Sequence, residues 1–193
     1  MKRLLDLAIA VPGLVIAIPV IAVAAILIRA SSKGPAILAQ TRVGHNGVPF
    51  TCYKLRTMYA DTPAVPTHEA QRSAVTPPGR ILRATKLDEL PQLWNVLRGE
   101  MSIVGPRPHA LAMKVGDAYY HEAVRGYAGR HRVRPGITGL AQVRGLRGEI
   151  DTIERAKKRV EYDVYYIENW SPLLDLRIIL ETIFKLVWDR NAY

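Results

Sequence analysis

Apolar residues are spread unevenly along the chain. From Leu7 to Ile28 no residue is charged, a run of roughly 22 residues, which is in the range that crosses or enters a bilayer. Lys2 and Arg3 precede it, and Arg29 and Lys33 follow it. Three readings compete. A charged start, an apolar stretch and the small-residue triplet Ala22-Val23-Ala24 imitate a secretory signal peptide. A straight span is the second, but Pro12, Gly13 and Pro19 interrupt the run, and interior prolines remove helix hydrogen bonds and bend the axis. Cationic residues at both ends direct both to the same side of the membrane, which a straight span cannot satisfy. That favours the third, a re-entrant membrane helix over residues 1–30 that dips into one leaflet and returns, broken at Pro19. Asp6 is expected at the interface, bonded to a basic neighbour, because an unpaired charge in lipid is costly.

Beyond the apolar run, Ala36 to Ala39 and Phe50 to Leu55 flank a turn at Gly44-His45-Asn46-Gly47, which predicts a β-hairpin leading to a basic tip at Lys54 and Arg56. Residues 61–79, rich in Pro, Thr and Ala, read as a loop placed to cover a site as a lid. Leu90, Leu93, Trp94 and Leu97 recur at helical spacing and predict a helix from Thr85 to Arg98, stopped by Gly99. Thr85 and Asp88 resemble a capping box, whereas Pro91 argues for a first turn close by. Either start puts Asp88 and Glu89 in the first turn, where the helix dipole favours negative charge. Ile150 to Trp170 reads as a helix with Ile153, Val160, Val164 and Ile167 on one face. Ser171-Pro172 then starts a second amphipathic helix, Leu173 to Trp188. Such stripes fit a core or a helix lying in the membrane interface, and Trp188 and Tyr193 at the end suit the latter. The expected fold is α+β with helices dominant: a membrane helix over 1–30, then one functional unit over 31–193 containing a short hairpin and interfacial helices.

Composition narrows the chemistry. The 193 residues carry a net charge of +10, 49% hydrophobic residues and one cysteine, Cys52. A disulfide scaffold, a structural zinc site and a disordered basic tail are excluded. Between Arg125 and Arg159 ten Lys/Arg face only Glu149, Asp151 and Glu154, which marks an anion-binding surface. A nucleic-acid module fits that charge but leaves the apolar N-terminus and the Asp88-Glu89 pair unexplained, so no nucleic acid is expected. A non-catalytic scaffold holding an anionic lipid bilayer fits the charge as well. The acid pair lies among Arg80, Arg83 and Lys86 and is followed by Gly105-Pro106-Arg107-Pro108, a rigid turn presenting one guanidinium. Carboxylates among cations suit a divalent metal and a phosphate-bearing substrate, and a carboxylate can itself be the nucleophile in phosphoryl transfer. Structural capping of the helix remains the alternative for the pair.

Five segments, in order, carry a resemblance: Tyr53-Lys54-Leu55-Arg56-Thr57-Met58, Leu87 to Val96, Val104-Gly105-Pro106-Arg107-Pro108, Arg134-Pro135-Gly136-Ile137-Thr138-Gly139, and Asp163 to Asp175. They resemble the bacterial sugar transferases, more narrowly the monotopic polyprenyl-phosphate phosphoglycosyl transferases that begin exopolysaccharide, O-antigen and glycoprotein glycan assembly. The resemblance implies transfer of a sugar 1-phosphate from a UDP-sugar to polyprenyl (undecaprenyl) phosphate at the cytoplasmic face of the bacterial inner membrane, with release of UMP. It implies Asp88 as the nucleophile and Mg²⁺ ligand, forming an aspartyl phosphosugar, and Glu89 as its assistant. Lys54, Arg83 and Arg107 match positions near the phosphates, and by extension so do Arg134 and Arg144. The family's membrane helix commonly breaks at Ser-Pro, where this chain has Ile18-Pro19. An exposed apolar helix also makes a homodimer an expectation.

Overall fold

A computed structural model describes residues 1–60, 74–111, 113–115, 118–148 and 152–188. Most of the segment read as a lid, residues 61–73, lies outside the described residues, as do Glu149, Asp151 and Tyr193. The first element, α1 (Lys2–Ser31), is assigned as helix without interruption through Pro12 and Pro19. Pro19 therefore does not divide the segment into two helices. Its local effect is the lost bond to the carbonyl one turn back. Asp6, Ala10, Ala17, Ala24 and Ile28 form one buried stripe, while Leu4, Ile9, Val15, Ile16, Ile18, Val23 and Ile26 are exposed on the remainder. Small side chains on the stripe let neighbouring backbone approach closely, and Gly13 serves the same end against Leu93.

Both ends of α1 are bonded to the same body. Near the start, Lys2 pairs with Asp175 at 2.7 Å, and Arg3 donates to the carbonyls of Val96 and Leu97 at 2.6 and 2.8 Å. Asp6 does not meet a basic neighbour as the sequence suggested. Its carboxylate accepts from the Ser102 hydroxyl at 2.7 Å and the Ile103 amide at 3.0 Å, since the partner it faces is backbone rather than solvent. At the far end Arg56 donates to the carbonyls of Lys33 and Ser32 at 2.6 and 2.9 Å. Arg56 is buried, so it is an anchor of α1 and not part of a basic tip.

The hairpin forms as expected: β1 (Ile37–Val43) pairs antiparallel with β2 (Pro49–Leu55), placing Gln40 opposite Cys52 and Leu38 opposite Lys54. The segment after it differs from expectation. Thr76 accepts from the Gly79 amide at 3.1 Å, and with Pro77 at the first position it starts a helix, α2 (Pro77–Thr85), whose first three residues the sequence placed at the end of a loop. Lys86 then takes the left-handed conformation, φ 59° and ψ 14°, and ends the helix. A 3₁₀ turn at Leu87–Glu89 follows, and α3 (Gln92–Arg98) begins only after Pro91. The Thr85 hydroxyl donates to Ile81 instead of capping. The single helix expected from Thr85 to Arg98 is thus split, and Trp94 on its apolar repeat is half exposed.

Behind α3 lies β3 (Ser102–Val104). The small pair β4 (Lys114–Val115) with β5 (Ala118–Tyr119) and the turn of helix α4 (Tyr120–Ala123) follow. A 3₁₀ segment, Tyr127–Arg132, leads into β6 (Gly136–Thr138), which runs parallel to β3. Gly105 and Gly136 lie so close across this junction that a Cβ on either would collide with backbone. The chain ends with α5 (Leu140–Val143), α6 (Ile153–Glu168) and α7 (Pro172–Trp188). α7 buries Ile178 and exposes Leu173, Leu176, Leu180 and Ile183. The main core gathers Ala10 and Ala17 of α1, Leu93 and Val96 of α3, Met101, Val104, Tyr166 and Ile178.

Because Asp6 is a buried acceptor of two bonds from another element, Asp6→Ala leaves the Ile103 amide and Ser102 hydroxyl unpaired. A destabilisation of roughly 2–4 kcal/mol is expected. Thermal unfolding in detergent should show Asp6→Asn, which keeps one acceptor, falling between Asp6→Ala and the parent protein.

Candidate functional site

The 3₁₀ turn delivers Asp88 and Glu89 to different environments. Glu89 Oε1 accepts from Arg107 Nη2 at 2.5 Å. Burial pushes the Glu89 carboxyl up, but the Arg107 guanidinium outweighs it and holds the group below the usual range. Arg107 is in turn kept protonated by Glu89. Asp88 is displaced the other way: burial, then the neighbouring Glu89 charge, raise it, against Lys86, Lys54 and Arg107. Its Oδ1 is buried and has no hydrogen-bond partner among the described residues. One carboxylate is committed to an ion pair, and the other keeps one buried oxygen without a partner among the described residues.

The hairpin supplies the cations. Asn95, fully buried on α3, accepts from the Tyr53 amide at 3.1 Å and donates to the Thr51 carbonyl at 2.7 Å. This fixes β2 against α3 and so Lys54 toward Asp88. Burial, then Arg42, depress the Lys54 ammonium. Arg42, which shares the Cys52 and Lys54 face of the hairpin through the strand register, is itself lowered, mainly by burial. Arg83 donates to the Thr57 hydroxyl at 2.9 Å and acts electrostatically on Lys54.

Of the residues picked from the sequence, Asp88, Glu89, Lys54 and Arg107 come together, with Arg83 on the edge. Arg144 pairs with Glu181 of α7 at 2.7 Å, and Arg134 lines a separate surface depression with His45, Asn46 and Glu100. Neither is brought beside Asp88. Arg42 was missed because the apolar run ends at Ala39; only the extension of β1 to Val43 puts it on one face with Gln40.

Sequence reasoning also missed the support behind Arg107. Arg130 and Asp163 are fully buried. Arg130 donates through Nε and Nη2 to Asp163 Oδ2 at 2.9 and 2.7 Å, and through Nη2 to the Arg107 carbonyl at 2.7 Å. Burial raises the Asp163 carboxyl against the pull of Arg130. A charge removed from either partner leaves the other buried and alone, which costs several kcal/mol. Beside them His109 contacts the Tyr127 hydroxyl at 3.2 Å and Arg159 at 3.4 Å and packs on Tyr120. Burial and the two arginines push it well below 6.5.

Two hollows adjoin the turn that carries Asp88. A cavity of about 350 Å³ is lined by Lys86, Glu89, Arg107, Gln142 and Arg147, with Leu87, Leu90, Leu93 and Leu186 as apolar walls. An apolar groove between α1 and α2 runs past Pro19, Val23, Leu27, Pro78 and Ile81 and also reaches Leu87. No group of three or more His, Cys, Asp or Glu side chains placed to hold a metal occurs among the described residues. Asp88 with its free oxygen nevertheless suits Mg²⁺, which keeps most of its waters and takes one or two carboxylates together with substrate phosphates.

A half-buried carboxylate with one buried, unpartnered oxygen, set among cations and next to two largely apolar hollows, is equipped to handle a phosphate group. The sequence profile of the bacterial sugar transferases matches residues 1–189, and the chain belongs to that family of enzymes. It is 48% identical over 194 residues to a Caulobacter vibrioides protein named UDP-glucose:undecaprenyl-phosphate glucose-1-phosphate transferase, covering all of this chain and 72% of that one. A Klebsiella pneumoniae protein of the same name is 45% identical over 194 residues, covering all of this chain and 41% of the other. An Aeromonas hydrophila protein named UDP-N-acetylgalactosamine-undecaprenyl-phosphate N-acetylgalactosaminephosphotransferase is 37% identical, over 99% of this chain and 44% of its own. The chain thus spans less than half the length of two of these relatives.

The histidines make stability pH-dependent in a fixed direction. His109 is held well below 6.5 and His131 is lowered to about 4, in both cases mainly by burial. As pH falls below 6.5 the unfolded chain takes up protons that the native state refuses, so stability falls, by up to about 1.4 kcal/mol per pH unit for each such group. Denaturant midpoints measured across this window should drop on acidification, and His109→Gln should make the slope shallower.

Proposed function

We propose that the protein transfers a sugar 1-phosphate from a UDP-sugar to undecaprenyl phosphate, the reaction for which its relatives are named, in two displacements at Asp88. The observation that carries this reading is the division of labour in the acid pair: Glu89 is tied to Arg107 at 2.5 Å, whereas Asp88 Oδ1 is buried without a partner. In the first step a carboxylate oxygen of Asp88 attacks the sugar-bearing β-phosphorus. The bond from that phosphorus to the oxygen bridging it to the α-phosphate breaks, and UMP leaves with the electron pair. In the second an oxygen of undecaprenyl phosphate attacks the aspartyl phosphosugar, and Asp88 is released as a carboxylate. Lys54, Arg42 and Arg83 neutralise the diphosphate, and Arg107, held by Glu89 and by Arg130 through its carbonyl, presents a fixed guanidinium. Mg²⁺, held by Asp88, supplies further neutralisation of phosphate oxygens when bound.

The lipid substrate implies a membrane setting, and we place the enzyme on the cytoplasmic face of the bacterial inner membrane. Support comes from α1, whose two ends are bonded to one domain while its opposite side is apolar and exposed. A helix so tethered enters and leaves the bilayer on one side, as a re-entrant element does. The exposed apolar face of α7 lies beside it in the interface. The groove past Pro19 gives the isoprenoid chain a path to Leu87, next to the nucleophile.

Asp88→Asn keeps the size of the side chain and removes the nucleophile, so UMP release from UDP-sugar and Mg²⁺ should fall to background. In the unaltered protein, mass spectrometry should find a phosphosugar on Asp88 when no lipid acceptor is present. Substantial turnover by Asp88→Asn rejects the mechanism. For the topology, thiol-reactive or protease-accessible tags at residues 1 and 193 should both be reached only from the cytoplasmic side. Labelling of residue 1 from the periplasmic side overturns the re-entrant placement.

A further inference from the structure

The cavity beside the acid pair contains two polar atoms whose chemistry is complementary but which do not satisfy each other. Gln142, on α5, is 6% exposed. Its Nε2 donates to the Ile137 carbonyl at 3.2 Å, which fixes the amide orientation, and its Oε1 is buried with no donor among the described residues. Arg147 Nε, in the same wall, is a buried donor with no acceptor among the described residues. The nearby hydroxyls cannot supply what Gln142 lacks. Thr182 donates to the Ile178 carbonyl at 2.7 Å, so the 2.7 Å contact between Thr138 and Thr182 takes the Thr138 proton. A buried amide oxygen left without a donor costs about 1–3 kcal/mol, and neither apolar collapse nor the neighbours remove that cost here.

Donor and acceptor accounting restricts what completes this wall. An ionised phosphate offers only acceptors, so it answers Arg147 but not Gln142. An isoprenoid chain answers neither. A hydroxyl answers both, as water does in its absence, donating its proton to Gln142 Oε1 and accepting from Arg147 Nε through a lone pair. The wall shares its cavity with Glu89 and Arg107, whose neighbour Asp88 is the proposed nucleophile. The phosphorus under attack carries the sugar directly, so the sugar must lie within one phosphate of Asp88, and this cavity is walled by the residues on either side of it in sequence, Leu87 and Glu89. We propose that Gln142 and Arg147 form a hydroxyl-reading subsite that binds the hexose of the UDP-sugar. This deepens the assignment of a UDP-sugar donor and rests on it. Gln142 is thereby a binding residue for the transferred group.

The test couples protein variants to substrate variants. The intact protein is given a UDP-hexose that it uses, together with that compound's 2-, 3-, 4- and 6-deoxy analogues, and kcat/KM for UMP release is measured with Mg²⁺. One deoxy position should lose about 10-fold or more in the unaltered protein, because its absence leaves two buried groups unpaired. Gln142→Leu should lower kcat/KM for the parent sugar by about the same factor and bring the ratio for that one analogue close to unity. Gln142→Asn keeps an amide but withdraws the carbonyl by one methylene, and should do the same with less risk to folding, which thermal melting verifies. If both variants depress every sugar alike and leave the discrimination intact, Gln142 acts only in packing and the inference is overturned. If the unaltered protein releases UMP from no UDP-hexose, the functional assignment beneath it fails instead.

Discussion

The attachment of α1 to the body of the protein at both ends is the constraint on which the remaining arrangement depends. Asp6 is bound to β3, Arg3 stops the carbonyl end of α3, and Arg56 of β2 holds the chain after Ser31. These polar contacts sit at the two ends of an apolar stripe whose Ala10, Ala17 and Ala24 are too small to keep neighbours at a distance. The helix is consequently part of the core, and α3, β2 and β3, the elements that position the acid pair and Lys54, are all packed on it. A helix that merely anchored the protein would leave these elements without a common support.

Electrostatics at the site follow from this packing. Burial works against every charge there, lowering Lys54 and Arg42 and raising Asp88. Only Glu89 and Arg107 escape the trend, because each is the other's partner at hydrogen-bonding distance. A buried array of cations with too few carboxylates has much to gain from a polyanion, and a UDP-sugar brings that charge. The buried Arg130–Asp163 pair is weak evidence for overall stability. Its bond to the Arg107 carbonyl is a positional device, setting the backbone from which the guanidinium reaches Glu89.

Much of this was legible in the sequence, and the gaps have physical reasons. The hairpin was visible because Gly44 to Gly47 interrupts two apolar runs, and α6 and α7 because their stripes are long. The acid pair was identifiable by its cations and by the resemblance, but its local structure was not. Pro77-Pro78-Gly79 reads as a loop unless Thr76 is recognised as the cap, and nothing local announces the left-handed Lys86. The β3 and β6 pair has three residues a side and exists only because distant segments meet, so no periodicity reveals it. Arg130 with Asp163, and Asn95 with the hairpin, are likewise pairs made by the fold. Gln142 lies inside a recognised segment's neighbourhood, yet its importance comes from an oxygen without a partner, a fact that exists only in three dimensions.

The contact between Lys2 and Asp175 joins residues 173 positions apart. Asp175 also accepts from the Tyr166 hydroxyl at 2.7 Å and the Trp170 indole at 3.1 Å, so this one carboxylate closes the start of α1 onto the last two helices. During synthesis α1 emerges before its partners on α6 and α7. Throughout that interval Lys2 lacks its carboxylate, although Asp6 and the stripe of Ala10, Ala17 and Ala24 can already meet β3, α3 and β2. The closure of Lys2 onto Asp175 therefore follows the contacts of α1 with α3 and β3 and completes the packing of the helix.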